Sequence, residues 1–238
     1  TARRDGDHYV VNGGKIFITS GIRADFYTVA VRTGGEGASG ISLLLIEKGT
    51  PGFTQTELKK MGWWASDTAA LYFDNCKVPV TNLIGAENKG FSGIMINFNM
   101  ERLGIAATSV GLAMVCMDEA VAWARERKTF GKRLLDHQVI RHKIADMAKR
   151  ILATQAFMEQ TTWQMQQGQV PVVELSLLKV QATETLEFCA REAVQIYGGS
   201  GFMRGNKVER IYREVRVFAI GGGSEEIMRD LAARQLRL

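Results

Sequence analysis

Glu101 is the residue whose setting in the sequence most strongly suggests chemistry. The segment around it repeats apolar residues at helical spacing on two opposite faces, and Glu101 lies at the end of the second face. That second face contains Ile105, Thr108, Leu112 and Val115. A helix that is apolar on opposite sides is buried on both, so this face should contact a β region, a cofactor or another subunit. A carboxylate there is unfavourable unless it is paired with an arginine, lies at the helix edge or acts as a base, and these readings stay open.

Other groups that could do chemistry are scattered. Cys76, Cys116 and Cys189 are isolated and have no metal-ligand spacing, so we expect reduced thiols and neither a disulfide framework nor a metal site. The net charge of +5 is mild and is compatible with an anionic ligand such as a coenzyme A phosphate or with an ordinary basic surface. No uninterrupted apolar run reaches about 18 residues, so no membrane span is expected.

The first 85 or so residues alternate with a period of two, which is typical of β-strands. Strand-like runs lie at residues 9–11, 16–19, 26–32, 41–47, 53–58 and 70–73. The dipeptide Asn12-Gly13 predicts a tight hairpin turn between the first two runs. Short strands at this spacing predict a small antiparallel barrel or sandwich.

After Gly85 the apolar period changes to 3.6, which predicts long helices. Three apolar stripes follow: Leu103, Ala106, Val110, Ala113, Met117, Val121 and Ala124; Ile140, Ile144, Met147, Ile151 and Met158; and Leu175, Leu178, Ala182, Leu186, Cys189, Ala193 and Tyr197. Breaks at residues 129–131, 168–171 and 198–201 separate them, and a last short helix is expected after Ser224. Long helices with short loops pack antiparallel, so the predicted fold is α+β: a β domain over residues 1–87 and an antiparallel four-helix bundle over 88–238.

Several short motifs occur in order along the chain and resemble those of the acyl-CoA dehydrogenases. They are KIFITSG at 15–21, KMG at 60–62 with SDT at 66–68, VP at 78–79 with NLIG at 82–85, RERKTFGK at 125–132 followed by HQ at 137–138, and QIYGGSGF at 195–202. The resemblance covers essentially the whole chain and implies a middle β domain and a C-terminal four-helix domain. It also implies that the family's N-terminal helical domain, and the opening of its β domain, lie outside this sequence.

The resemblance implies FAD as the cofactor. Residues matching the family's FAD contacts are Phe17, Ile18, Thr19, Arg127, Phe130, His137, Gln138, Gln195, Gly199, Ser224 and Glu226. The residues at 17–19 would lie against the flavin ring, with Phe17 in place of the usual Trp, and Arg127 would bind the diphosphate, often of a neighbouring subunit. Without the resemblance, Arg127 reads as a surface charge, Phe130 as a core residue and Gly198-Gly199 as a helix cap.

The family's catalytic base departs from its usual place. Many members carry it in a Y-E-G-T segment before the last helix, where this chain has Gly222, flanked by Gly221. A branch that includes the isovaleryl-CoA and long-chain dehydrogenases carries the glutamate in an E-R pair on the first long helix, which Glu101-Arg102 matches. The resemblance therefore implies that Glu101 is the base and that Gly222 donates a backbone N–H to the thioester oxygen. It also places Arg102 and Gly221 at the substrate, with room at Gly221 for a branched acyl chain.

The expected activity is α,β-dehydrogenation of an acyl-CoA, with a medium, long or branched acyl chain and electrons passed to an electron-transfer flavoprotein. A homo-oligomer, tetramer or dimer, is implied, located in the cytoplasm of a bacterium or the mitochondrial matrix of a eukaryote. Alternatives on the same fold are an acyl-CoA oxidase, a flavin monooxygenase and a DNA-associated stress protein. Monooxygenase relatives generally lack the glutamate, and the basic residues here are spread among acids, so nucleic acid is not an expected partner.

Overall fold

A computed structural model describes all residues, Thr1–Leu238. The chain divides into two compact units, Thr1–Asn97 and Phe98–Leu238, which are described separately. The predicted domain boundary lies ten residues earlier, at the change of period. By contacts the first unit extends into the first long helix, because Gly90 at its start packs closely on Leu43 of a strand.

The first unit contains seven strands. They are β1 (Ala2–Asp5), β2 (His8–Thr19), β3 (Phe26–Arg32), β4 (Ile41–Glu47), β5 (Phe53–Glu57), β6 (Thr68–Pro79) and β7 (Leu83–Ile84). They form two antiparallel sheets, with the order β1-β2-β6-β5 in one and β3-β4-β7 in the other. One-turn 3₁₀ helices at Ala38–Gly40 and Val80–Asn82 lie before β4 and β7.

One face of each sheet contributes to a shared apolar core. In β3 and β4 every second residue is buried, for example Val29 and Val31 or Leu44 and Ile46, as alternation requires. The core joins both sheets, and the ring of Tyr27 meets that of Phe53 edge-on, with centroids 4.9 Å apart. Because both sheets are open, the unit is a sandwich and not a closed barrel.

The predicted hairpin at Asn12-Gly13 is wrong. β2 continues through these residues, and its pairing with β6 shifts register between Val11 and Gly13. The side chain of Asn12 accepts a hydrogen bond of 2.8 Å from the backbone N–H of Asn75, which has a positive φ of 48°. One residue of β2, Asn12, therefore lies opposite two residues of β6, Asp74 and Asn75, so the bulge is in β6 and Asn12 faces it. The first reversal lies between β1 and β2, where Asp5 pairs with His8.

The second unit is helical. Its helices are α1 (Gly90–Glu126, which begins in the first unit), α2 (Gln138–Gln166), α3 (Val172–Tyr197), α4 (Gly199–Phe202), α5 (Lys207–Glu214), α6 (Arg216–Ile220) and α7 (Glu225–Gln235). A small hairpin of β8 (Lys128–Thr129) and β9 (Lys132–Arg133) and a 3₁₀ turn at Leu134–Asp136 connect α1 to α2. The predicted breaks at 129–131 and 168–171 fall between helices, whereas the one at 198–201 ends α3 at Gly198 and continues into the short α4. Ser224 caps α7 by accepting from the N–H of Ile227.

The α3 helix is the centre of the bundle. Fourteen of its residues are buried, and it contacts α2, α5, α6 and α7. The predicted stripes form the core: Ala106 and Val110 of α1 pack with Leu178 and Ala182 of α3. The predicted fold class, an antiparallel β sandwich followed by a helical bundle, is confirmed.

The α1 helix is the one helix long and apolar enough to cross a membrane by length and composition. A single such helix is weak evidence for a span, because the core helix of a globular domain passes the same test. A third of the apolar stretch is already buried within the chain, including Ala106, Val110 and Ala113.

Candidate active site

The pair Glu101-Arg102 places one side chain outward and the other inward on α1. Glu101 is exposed on the second unit, whereas Arg102 is buried. The guanidinium of Arg102 donates from Nε to the carbonyl oxygen of Gly222 at 3.3 Å and from Nη1 to the side chain of Asn99 at 3.2 Å. Burial lowers the pKa of Arg102, and the carboxylate of Glu101 opposes that shift. The arginine therefore ties this turn of α1 to the loop before α7.

That loop, residues 221–223, consists of three glycines. Gly222 and Gly223 have positive φ values of 68° and 104°, which L-residues with side chains rarely adopt. A Cβ atom at Gly222 would lie 2.7 Å from Cδ1 of Ile105, one helical turn beyond Glu101. The space beside Gly222 is therefore occupied by a side chain of α1, on the turn next to Glu101.

Two further carboxylates near the glycine loop, Glu225 and Glu226 at the start of α7, are alternative candidates for a base, but both have other partners. Glu225 accepts a 2.8 Å hydrogen bond from the hydroxyl of Thr183 and forms an ion pair with Arg229. The backbone N–H of Glu226 itself and the hydroxyl of Ser224 lower the pKa of the Glu226 carboxyl. Both acids thus serve the first turn of the helix, where negative charge is favourable.

Lys179 of α3 is a site residue that the sequence reasoning missed. Its side chain is fully buried, and Nζ donates to the carbonyl oxygens of Ala219 at 2.9 Å and Gly223 at 2.8 Å. The available signal was its place inside an apolar stripe, four residues after Leu175 and three before Ala182. A lysine among buried apolar residues needs polar partners, and here backbone carbonyls of the glycine loop supply them.

Phe17, Ile18 and Thr19 lie at the end of β2 in the first unit. The pairing of β2 with β6 is interrupted between Lys15 and Ile18, and Phe17 has a positive φ of 63°. The bulge leaves the ring of Phe17 73% exposed beside the exposed Ile16. An uncovered aromatic edge of this kind fits the apolar face of a flavin ring.

Arg127, Phe130, His137 and Gln138 surround the β8–β9 hairpin in the second unit. Phe130 has a φ of 50° at the hairpin's turn, and its ring is 97% exposed, so the reading of it as a core residue is wrong. The imidazole of His137 lies 3.4 Å from the hydroxyl of Thr129 and meets the ring of Phe130 edge-on. An exposed arginine next to an exposed aromatic ring fits a nucleotide diphosphate.

Gln195 and Gly199 lie at the end of α3, close to the end of α1. The ring of Trp123 stacks on Tyr197, with centroids 4.7 Å apart, and Tyr197 donates to Glu119 of α1. Both Gln195 and Gly199 are exposed, and no atom would meet a Cβ at Gly199 within 4 Å. The second unit thus gathers its predicted FAD residues in two places: near Arg127 and Gln195, and near Ser224 and the glycine loop.

Two family models match the chain in sequence. The model of the acyl-CoA dehydrogenase C-terminal domain matches residues 88–237, and that of the middle domain matches residues 1–76. The chain belongs to the acyl-CoA dehydrogenase family. This confirms the family inferred from the motifs and agrees with the sandwich and the bundle described above.

Named relatives of this family are similar over nearly the whole chain. Mitochondrial isobutyryl-CoA dehydrogenase of Bos taurus is 38% identical over 99% of the chain, and mitochondrial long-chain specific acyl-CoA dehydrogenase of Rattus norvegicus is 36% identical over 99%. The crystal structure of a probable acyl-CoA dehydrogenase from Mycobacterium abscessus superposes with a TM-score of 0.97 at 49% identity over 99% of the chain. The chain spans 57%, 56% and 63% of the lengths of these three proteins.

Membership in this family of flavoenzymes implies FAD as the cofactor. The exposed ring of Phe17 at the β2 bulge and the exposed pair Arg127 and Phe130 are compatible with an apolar ring and a diphosphate, so the residues present fit the group. No group of three or more His, Cys, Asp or Glu side chains that could hold a metal ion is present.

Proposed function

We propose that this chain carries the proton-abstracting site of an FAD-dependent acyl-CoA dehydrogenase, with Glu101 as the base. The observation that carries the proposal is the contact between α1 and the glycine loop. Ile105 fills the space beside Gly222, and Arg102 is hydrogen-bonded to the carbonyl of Gly222. A carboxylate on the neighbouring turn of α1 can therefore replace one on the loop.

In the proposed reaction the Glu101 carboxylate takes the proton from the α-carbon of the thioester. FAD, when bound, accepts the hydride that leaves the β-carbon. Negative charge develops on the thioester oxygen as the proton leaves, and a backbone N–H of the glycine loop, at Gly222, stabilises it by donating a hydrogen bond. The rival acids are less suitable bases, because Glu225 is paired and the pKa of Glu226 is lowered.

The test is the Glu101→Gln substitution in the complete, FAD-loaded protein. General-base catalysis contributes roughly 10²- to 10⁴-fold, so we expect kcat for acyl-CoA oxidation to fall by about that factor while the flavin absorbance is retained. Asp118→Asn, an exposed acid on the same helix, is the matched control and should retain full activity. Undiminished activity of Glu101→Gln would sink the assignment of the base.

The proposed substrate class is a branched or medium to long acyl-CoA. Support comes from Gly221, where a Cβ atom would meet only the carbonyl oxygen of Val217 within 4 Å. The lack of a side chain there leaves space at the loop. A panel of straight and 3-methyl-branched acyl-CoAs tests this: Gly221→Leu should lower kcat/KM for the branched substrates more than for the straight ones. Equal losses would contradict it.

The proposed electron acceptor is an electron-transfer flavoprotein, on the basis of the family resemblance. An oxidase would instead form hydrogen peroxide with dioxygen as its acceptor. Anaerobic reduction of the flavin, followed by addition of either acceptor, separates the two.

We also propose a homo-oligomer that shares its FAD sites. Along α1, Glu101 and Glu126 are separated by a rise of roughly 37 Å. One group of predicted FAD residues lies near the glycine loop beside Glu101, and the other near Arg127. One dinucleotide cannot extend along this length, which favours two FAD molecules per copy, each shared with a second copy. Gel filtration with light scattering, on the wild type and on Arg127→Ala, tests whether assembly and FAD content depend on each other.

A further inference from the structure

Two buried cations lie beneath the glycine loop and hold its carbonyl groups. Lys179 donates to Ala219 at the last turn of α6 and to Gly223, and Arg102 donates to Gly222 between them. The donors come from two different helices, α3 and α1. Three carbonyls within five residues are thus fixed by side chains that are 0% and 7% exposed.

The loop needs such anchors because of its composition. Three successive glycines lose more conformational freedom on ordering than any other residues, and two of them hold a positive φ here. Hydrogen bonds from charged donors are stronger than those between neutral groups. On the far side of the loop, the hydroxyl of Thr183, one turn beyond Lys179 on α3, holds Glu225 of α7. The α3 helix therefore fixes both the loop and the turn that follows it.

Burying the ammonium group of Lys179 costs hydration energy, so packing alone does not explain a lysine at this position. Its hydrogen bonds go to carbonyl oxygens, and the charged groups that act on it are Glu225 and Glu226 of α7, Arg102 of α1 and Arg216 of α6. Burial lowers the pKa of Lys179 to about 8. An apolar side chain of similar length would avoid the loss of hydration, but it would leave the loop without its two hydrogen bonds.

We propose that Lys179 is a positioning residue, which holds residues 219–223 in one conformation so that the loop keeps its place beside Glu101. Lys179 itself touches neither substrate nor FAD, and it acts through the carbonyls of Ala219 and Gly223. The inference rests on the proposed function of the loop. Arg102 supports the same loop from α1, through the carbonyl of Gly222. The two cations together replace the side-chain packing that glycines cannot provide.

The experiment compares three variants of the complete, FAD-loaded protein with the wild type. Lys179→Met keeps the length and removes the donors, and Lys179→Arg keeps a charged donor. Lys143→Met is the control, because Lys143 also pairs with a buried partner, Glu192, but far from the loop in sequence and on α2. The readouts are kcat, KM and hydrogen exchange at the amides of Gly221, the first residue of the loop, and Met228 in the first turn of α7, which are hydrogen-bonded to the carbonyls of Val217 and Ser224.

We expect Lys179→Met to lower kcat by about 10- to 100-fold, because a displaced loop would misalign the reacting groups. KM should change by less than about threefold. Exchange at Gly221 and Met228 should accelerate at least about tenfold, in proportion to the population of open loop. Lys179→Arg should restore part of both effects, since one charged donor remains. Lys143→Met should change neither, although it lowers the melting temperature.

The proposal is overturned if folded Lys179→Met keeps wild-type kcat and wild-type exchange at the loop. It is equally overturned if Gly221 and Met228 of the wild type exchange as fast as unstructured chain, a result that needs no variant and decides the matter if Lys179→Met does not fold. A wild type that does not oxidise any acyl-CoA would refute the proposed function, whereas the exchange rates would still report whether Lys179 holds the loop.

Discussion

The two units of this protein bury different kinds of side chain. The sandwich has one fully buried polar side chain, Ser42, beneath a core of apolar and aromatic residues. The bundle buries ten polar or charged residues: Arg102, Ser109, Thr154, Thr161, Ser176, Lys179, Thr183, Thr185, Glu192 and Glu209. Contact between the two sheets is mainly apolar, with one hydrogen bond of 2.7 Å from the side chain of Gln55 in β5 to the hydroxyl of Tyr27 in β3, and the backbone groups pair within each sheet.

The bundle uses its buried polar groups to join helices and irregular segments. Lys143 of α2 pairs with Glu192 of α3, and the hydroxyls of Thr154 and Thr185 meet at 2.9 Å between the same helices. Arg102 and Lys179 hold the glycine loop. Polar burial is therefore concentrated in the unit that carries the proposed base. A buried polar group requires a specific hydrogen-bond partner, so such pairs fix the relative positions of the helices and the glycine loop more strictly than apolar packing does.

The largest expected effect tests the apolar character of the sandwich. Leu44 is fully buried in β4, so Leu44→Ala should lower the free energy of unfolding of this unit by about 2–5 kcal/mol through lost burial and a cavity. Leu45→Ala, on the opposite and half-buried face of the same strand, should cost less than half as much. Urea unfolding followed by the fluorescence of Trp63 and Trp64 measures both. Equal losses would show that the core between the sheets is not the main source of stability.

A smaller effect is expected for the buried ion pair of the bundle. Glu192 is 5% exposed and binds both Lys143 and Arg191. Glu192→Gln should lower the free energy of unfolding by about 1–3 kcal/mol, because the partly buried ammonium of Lys143 loses its anion. The surface pair of Lys149 and Asp146 is the control, and Asp146→Asn should leave the free energy of unfolding nearly unchanged, because solvent screens an exposed pair. A loss at Glu192 no larger than at Asp146 would remove the distinction between the units drawn above.

The smallest effect is pH-dependent and concerns Glu119 of α1. Its carboxylate accepts hydrogen bonds from Lys207 at 2.5 Å and from Tyr197 at 3.1 Å, and the bond from Lys207 is the main cause that lowers its pKa below the ordinary 4.5. A carboxyl group whose pKa is lower in the folded than in the unfolded state stabilises the protein at pH values above its unfolded-state pKa. This stabilisation is lost as the pH falls through the folded-state pKa. Glu119→Gln should therefore cost roughly 1 kcal/mol or less at pH 7.

The same difference between wild type and Glu119→Gln should vanish as the pH is lowered from 5 towards 3. Melting temperatures over this range measure it, with Lys207→Met as the partner variant, which should show the same loss at pH 7 and the same convergence in acid. A difference that stays constant with pH would mean that the side chain acts through packing and not through its charge.

Much of the fold was predictable from periodicity. Residues 26–32 and 41–47 were predicted as strands with the bounds that β3 and β4 have, and both loops between the three long helices contain Gly or Pro. The continuation of β2 through Asn12-Gly13 was not predictable, because this dipeptide between two apolar runs is typical of a tight turn. Only the pairing of both halves of β2 with β6, which depends on residues 60 positions away, selects the continuous strand.

The candidate site divides in the same way. Residue type and spacing determined that Glu101 lies on a helix face that needs an explanation, and the family resemblance of the motifs implied that Gly222 leaves the alternative base position without a side chain. The tertiary structure decided that Arg102 and Ile105 meet the glycine loop and that Lys179 lies beneath it. These contacts join residues between about 40 and 120 positions apart, and neither propensity nor periodicity carries information over such separations. Only the packing of α1 and α3 against the loop brings them together.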